Sequence, residues 1–142
     1  FRERTGRDVR LVCAGSGPLD LQPFVHDVGF LSEAEKHEAM AGAIAFIHPS
    51  IMESLGIVLL ESFLAGTPAL VHAGGAVLRW QCERSGGGLW FRHYPDFEAE
   101  LEWLLDHPEL RAALGRQAQA YVRREYAWEA VEERLIHALE TL

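Results

Sequence analysis

The sequence has little lysine: of its 13 basic residues only Lys36 is not an arginine. No basic cluster forms, and 21 acidic residues bring the formal net charge to −8. A chain of this sign has no sequence-independent grip on nucleic acid or anionic lipid, so any bound phosphate must be held locally. Cysteine is equally scarce. Cys13 and Cys82 are too few and too far apart for a disulfide framework, and neither has a partner at metal-ligand spacing, which makes a reducing compartment the simpler expectation. The histidines at 26, 37, 48, 72, 93, 107 and 137 lack spacings such as H-x-x-x-H, so no metal site is expected. No apolar run approaches the roughly 20 residues of a membrane span, and the start does not look like a signal peptide.

What is present suits one ordinary soluble domain. The chain has 142 residues, 49% of them hydrophobic, enough for a single core, and the expectation is one domain over 1–142 with a helical extension over 95–142. It opens without a Met on "FRERTGRD", which reads as the end of a helix and a turn, and hence as part of something larger.

Apolar runs alternate with helical spacing. "VRLVCAG" reads as a buried strand closed by the glycine turn "GSGP", and "FVHDVGF" as a weaker strand. Ser32 with Glu35 is a capping-box pattern and predicts a short helix ending near Gly42. "AIAFIHP" is a strand stopped by Pro49, since proline cannot donate to a sheet ladder. Gly56 to Ala65 is helical with Gly66 at its C-terminal cap, "PALVH" a strand, "AVLRWQCERS" a helix and "GGGLWF" a strand. From Pro95 the spacing is helical in three pieces, punctuated by Pro108 and "EYAW". This alternation predicts an α/β fold, a Rossmann-like doubly wound parallel sheet with C-terminal helices. In such folds ligands sit beyond the carboxyl ends of the strands, so the turns of interest are "GSGP", "GFLS", "HPSIMESLG" and "HAGGA".

The stretch "HPSIMESLGIVLLESFLAGTPALV" carries the chemistry. Its helix is apolar nearly all round and expected to lie buried between layers, yet Glu61 sits within it. A carboxylate there must be paired or hydrogen-bonded, unless the helix has one exposed line that passes through Glu61. Glu53, Ser54 and Gly56 stand where strand turns into helix, and a helix N-terminus with free N–H groups is an anion site. Glu61 lies about 7 Å further along the axis, so one ligand can reach both, the helix start taking phosphate and the carboxylate taking two ribose hydroxyls.

Glu53 and Glu61, seven residues apart within "PSIMESLGIVLLESFLAGTPALV", strongly resemble the E-x7-E segment of retaining glycosyltransferases with the GT-B fold, the group-1 (family 4) transferases. "RLVCAGSGPL", "VHDVGFLSEAEKHEAMAGAIAFIHPS" and "SGGGLWF" resemble other segments of that family in the same order, from about Val9 to the chain's end. The resemblance implies the C-terminal, donor-binding half of a two-domain hexosyltransferase, entered one strand late, with an acceptor-binding N-terminal domain outside this sequence. It implies a nucleotide diphosphate sugar as donor and no cofactor or required metal. Glu61 would bind the donor ribose. Leu55, Gly56, Ile57 and Val58 would offer amides to the diphosphate or hexose, beside Ser54, and Glu53, the candidate catalytic residue, would bond hydroxyls of the transferred sugar. Gly15 and Gly17 would line the cleft, and Gly29, Phe30 and Leu31 would flank the base. A cytoplasmic protein, peripheral at the inner membrane face when full-length, is the matching localisation.

Three features depart from the family pattern. Its basic Arg and Lys pair has no counterpart here: Lys36 is on the wrong helix, and Arg2, Arg4 and Arg7 precede the wrong strand. Its "G-G-x-x-E" turn reads "GGAVL", with Ala76 or Val77 in place of the Glu, and the helix after the glycine turn is cut to "LDLQP". Rival readings are a non-catalytic nucleotide-binding or protein-interaction module of Rossmann type, and a GT-B-like epimerase or phosphorylase. His48 and His72 each close a strand and either point into the cleft or serve as caps or core. Trp80, Trp90, Trp103 and Trp128 read as core, and Glu129, Glu132 and Glu133 as a solvated helix face.

Overall fold

The computed structural model describes residues 1–17 and 22–141; Pro18 of the glycine turn and most of the shortened "LDLQP" segment lie outside the described residues. The chain order is α1 (Arg2–Thr5), β1 (Leu11–Ala14), β2 (Val25–Gly29), α2 (Glu33–Ala41), β3 (Phe46–His48), α3 (Ile57–Leu64), β4 (Ala69–His72), α4 (Ala76–Ser85), β5 (Gly88–Phe91), α5 (Tyr94–Asp106), α6 (Pro108–Glu125) and α7 (Trp128–Glu140). The local signals act as expected. Ser32 donates N–H and hydroxyl to Glu35 Oε2 (2.9 and 2.6 Å), and the Glu35 amide donates back to Ser32 Oγ (3.3 Å), closing the capping box ahead of α2. At the start of α5 the Asp96 carboxylate accepts from the amides of Arg92 and His93, and Pro108 opens α6, where its missing N–H costs no helix bond.

The chain divides into two compact units, Phe1–Glu38 and Ala39–Leu142, with the division inside α2. In the first, β1 and β2 pair in parallel. No described residue of this unit is buried. Arg2 is held there by Asp8 (2.8 Å) and by the Val9 carbonyl.

In the second unit β3, β4 and β5 form a parallel sheet in that order, Phe46 opposite Ala69 and Ala69 opposite Gly88. Side chains alternate across a strand, so β4 feeds two layers. Ala69 and Val71 pack with Leu59, Leu60 and Phe63 of α3, Leu78 and Cys82 of α4, and Ala118, Tyr121 and Val122 of α6. Leu70 points the other way, to the side where α5 lies against β4 and β5 and Phe97 meets Phe91 edge-on. Both βαβ crossovers, α3 and α4, thus share one face, as crossovers of like hand must when strands are added in sequence. Helices cover both faces, which is the Rossmann-like α/β arrangement expected.

Two expectations need correction. Helix α3 is not enclosed: Leu59, Leu60, Ser62 and Phe63 are buried, but Ile57 is 63% exposed, and Val58 and Leu64 are 43% exposed. Ile57 and Leu64 lie on the less covered side of the helix, so apolar composition did not guarantee burial. Among the tryptophans, only Trp90 packs against the main core. Trp80 is half exposed on the outer face of α4 under the Arg84 guanidinium, and Trp128 is 77% exposed at the start of α7. Glu129, Glu132 and Glu133 are exposed, as expected. Among the described residues no helix is long and apolar enough to cross a membrane.

Candidate functional site

The carboxyl ends of β3 and β4 open into a groove of about 440 Å³ lined by Ile51, Met52, Glu53, Ser54, Gly74, Ala76 and Val77. Both walls are turns singled out by the strand-end rule: one follows His48, the other His72. The first is shaped by Ser50, whose hydroxyl accepts from the Met52 amide and donates to the Met52 carbonyl (3.2 and 3.1 Å). In the second, the Gly74 amide donates to His72 Nδ1 (3.1 Å), which places the proton of the neutral ring on Nε2.

Glu53 on the groove wall has a hydrogen-bond partner for one oxygen and a histidine neighbour beyond hydrogen-bond reach for the other. Its Oε2 accepts from the Gly56 amide at 3.1 Å, and its Oε1 lies 3.8 Å from His48 Nε2. Gly56 makes this possible. It sits at φ 79°, ψ 51°, in the left-handed region, and a Cβ there would lie 2.7 Å from Leu78 Cδ2. The chain turns from loop to helix there, against the buried side chain of α4.

Helices α3 and α4 both begin beside this groove, and neither has a side-chain cap bond. The first ladder bonds are Leu60 N–H to Gly56 O (3.1 Å) and Arg79 N–H to Gly75 O (2.9 Å). The amides of Ile57, Val58 and Leu59, and of Ala76, Val77 and Leu78, therefore precede each helix's own ladder, where partial positive charge collects. The site can thus offer amide donors and a carboxylate, the chemistry suited to a phosphorylated sugar.

Not every expected residue lines the groove. Glu53 and Ser54 do; Leu55, Gly56, Ile57, Val58 and Glu61 follow on the elbow and α3, with Glu61 half-buried between Ile57 and Leu64. Gly15, Gly17, Gly29, Phe30 and Leu31 belong to the first unit, at the carboxyl ends of β1 and β2. There the Gly15 amide donates to the Gly29 carbonyl (2.7 Å) and Phe30 is 83% exposed. Ala76 and Val77 stand in the groove wall, so the departure from the family's acidic turn leaves that wall apolar. Lys36 is paired with Glu33 (2.9 Å).

Ile51, Met52 and Gly74 lie in the two turns that the sequence singles out without being named there as site residues, and sequence reasoning missed Gln81 altogether. The signal for Gln81 was available: it shares helical spacing with Leu78, Cys82 and Ser85, which marks a buried face.

The chain matches the family model "Glycosyl transferases group 1" over residues 2–121. It is 28% identical over 150 residues to a GDP-mannose-dependent monoacylated alpha-(1-6)-phosphatidylinositol monomannoside mannosyltransferase of Corynebacterium glutamicum, an alignment covering 94% of this chain and 39% of that protein. It is 30% identical to the alpha-D-kanosaminyltransferase of Streptomyces kanamyceticus, over 93% of this chain and 37% of the relative. Among solved structures it is similar to Anabaena Alr3699/HepE in complex with UDP, with a TM-score of 0.78 and 17% identity, covering 94% of this chain and 41% of that one. The chain thus spans about two fifths of the length of these relatives. On the family match, this chain belongs to the group 1 glycosyl transferases, and its fold is that of one half of a GT-B enzyme.

Proposed function

We propose that this chain supplies the donor-binding half of a transferase that moves a hexosyl group from a nucleoside diphosphate sugar to an acceptor with retention of configuration. The observation that carries this reading is the groove at the ends of β3 and β4, with Glu53 fixed on its wall by the Gly56 amide and two uncapped helices starting beside it. As the sugar–diphosphate bond lengthens, charge builds on the leaving oxygens. Amides already aimed at that charge lower the barrier without reorganisation, and in this reading no metal is needed. The amides of Leu55, Ile57 and Val58 serve the diphosphate or hexose, the Gly56 amide being given to Glu53, Ser54 lies alongside, and Glu61 accepts from the ribose hydroxyls. Glu53 binds hydroxyls of the transferred hexose and is the candidate catalytic group. In this reading a further domain of the full-length protein brings the acceptor and a segment preceding this one brings a basic pair for the diphosphate, so this chain alone binds nucleotide weakly and transfers nothing.

The test is a titration with UDP and GDP, the nucleotides named for the solved neighbour and the mannosyltransferase. Amide signals from Gly56 to Glu61 should move with one of them, and Glu61→Gln in the full-length protein should weaken that nucleotide about tenfold. Signals that stay put with both would refute the donor assignment, and an unaffected Glu61→Gln protein would favour a regulatory module instead.

A further inference from the structure

Gln81 lies in α4 and is 1% exposed, yet it is a primary amide with four hydrogen-bonding positions to satisfy. Its Oε1 accepts from the Tyr121 hydroxyl at 2.7 Å, and its Nε2 donates to the Tyr126 hydroxyl at 2.8 Å. The second Nε2 hydrogen goes to the Leu55 carbonyl, 26 residues away, at a longer 3.5 Å. Burial, and then the contact with Tyr126, push the Tyr121 phenol up to about 12, so it remains a donor throughout the physiological range. The Leu55 carbonyl can only accept, so it takes the nitrogen end of Gln81 and leaves the oxygen end to the Tyr121 hydroxyl.

The Leu55–Gly56 peptide is thereby held at both of its polar atoms. Its C=O takes the Gln81 amide, and its N–H is given to Glu53 Oε2 at 3.1 Å. A peptide unit is planar, so fixing both groups fixes its orientation. Leu78, one turn before Gln81, closes the space beneath Gly56 and leaves the elbow no room to settle towards α4. Turning this plane would break both bonds, free the Glu53 carboxylate and re-aim the amides of Ile57 and Val58.

We infer that Gln81 is a positioning residue for the donor loop, acting through the Leu55–Gly56 peptide to set Glu53 and the first amides of α3. The inference rests on the donor-site reading above. The experiment compares Gln81→Met, Tyr121→Phe and, as a packing control on the same helix, Cys82→Ala in the full-length protein. Three readouts are taken: the melting temperature, the dissociation constants for UDP and GDP, and the Gly56 amide signal. Gln81→Met should shift the Gly56 signal and weaken the bound diphosphate about fivefold or more. Tyr121→Phe, which frees the amide to flip, should move both readouts the same way by less. Cys82→Ala should lower the melting temperature and leave both unchanged. A Gln81→Met protein that melts earlier with wild-type Gly56 signal and affinity would overturn the inference, and so would a Cys82→Ala protein weakened to the same degree. If the wild type binds neither nucleotide, the donor reading fails, and the Gly56 signal alone still decides whether Gln81 holds the loop.

Discussion

The Gly56 amide donates to Glu53 Oε2 at 3.1 Å, so the first carboxylate of the E-x7-E segment is already the partner of the elbow from which α3 starts. The second oxygen faces His48 at 3.8 Å. Any ligand of Glu53 meets a carboxylate with one oxygen committed and its direction set.

That elbow tolerates only glycine. Gly56→Ala would place a Cβ 2.7 Å from Leu78 Cδ2 at a φ of 79°, and is expected to cost about 1–3 kcal/mol. Glu53→Gln keeps an acceptor oxygen for the Gly56 amide and should cost under about 1 kcal/mol. Thermal unfolding of the two variants checks the contrast, and equal melting temperatures would contradict it.

Gly115 of α6 is a second site of close approach. An added Cβ would fall on the Gly66 carbonyl, just beyond the end of α3. Alanine is the better helix former by roughly 1 kcal/mol, but two packed backbones cannot part without loosening Ala118 and Tyr121. Gly115→Ala should therefore lower stability by about 2 kcal/mol net, read from denaturant midpoints. A stabilised variant would show that α6 can shift freely.

Glu100 predicts a pH dependence. Its Oε2 accepts no hydrogen bond among the described residues, and it lies beside Leu89, Ala99 and Trp103. Burial, then the charge of Asp96, raise it from 4.5 to about 7. Between those values the folded chain binds more protons than the unfolded one, so this group's contribution to stability falls as pH rises through the window. The side chain is partly exposed and the effect is screened, to about 1 kcal/mol or less. Glu100→Gln should flatten the decline, matching the wild type near pH 4 and exceeding it at pH 8. Parallel stability curves would exclude the assignment.

The two cysteines should differ in reactivity. Cys82 is 1% exposed, and burial, with the Glu83 charge, pushes its thiol up to about 12. Cys13 on β1 is half-buried in a unit with no buried described residue. A thiol reagent at pH 8 should label Cys13 quickly and Cys82 only as the fold opens. Equal rates would mean that α4 opens far more readily than its packing implies.

Much of this architecture is written in local spacing. The Ser32 and Glu35 pair marks its helix, Pro49 ends β3, and the alternation of apolar runs with helical spacing names a parallel α/β fold. Each is settled within a few residues of chain, by sterics and by satisfaction of backbone groups. The E-x7-E segment and its ordered neighbours point to the family on the same terms.

Tertiary structure decided which faces are covered. Ile57, Val58 and Leu64 are apolar yet open, while Gln81 is polar and enclosed, because burial depends on which element lies opposite rather than on a residue's own hydropathy. The same applies to Glu53. Its position in the sequence marked a carboxylate at a helix start; only the approach of Leu78 and Gln81 of α4, more than 20 residues further along, fixed the elbow that takes its oxygen. Such long-range contacts satisfy polar groups that no local pattern records, and that is the part of the site the sequence by itself could not supply.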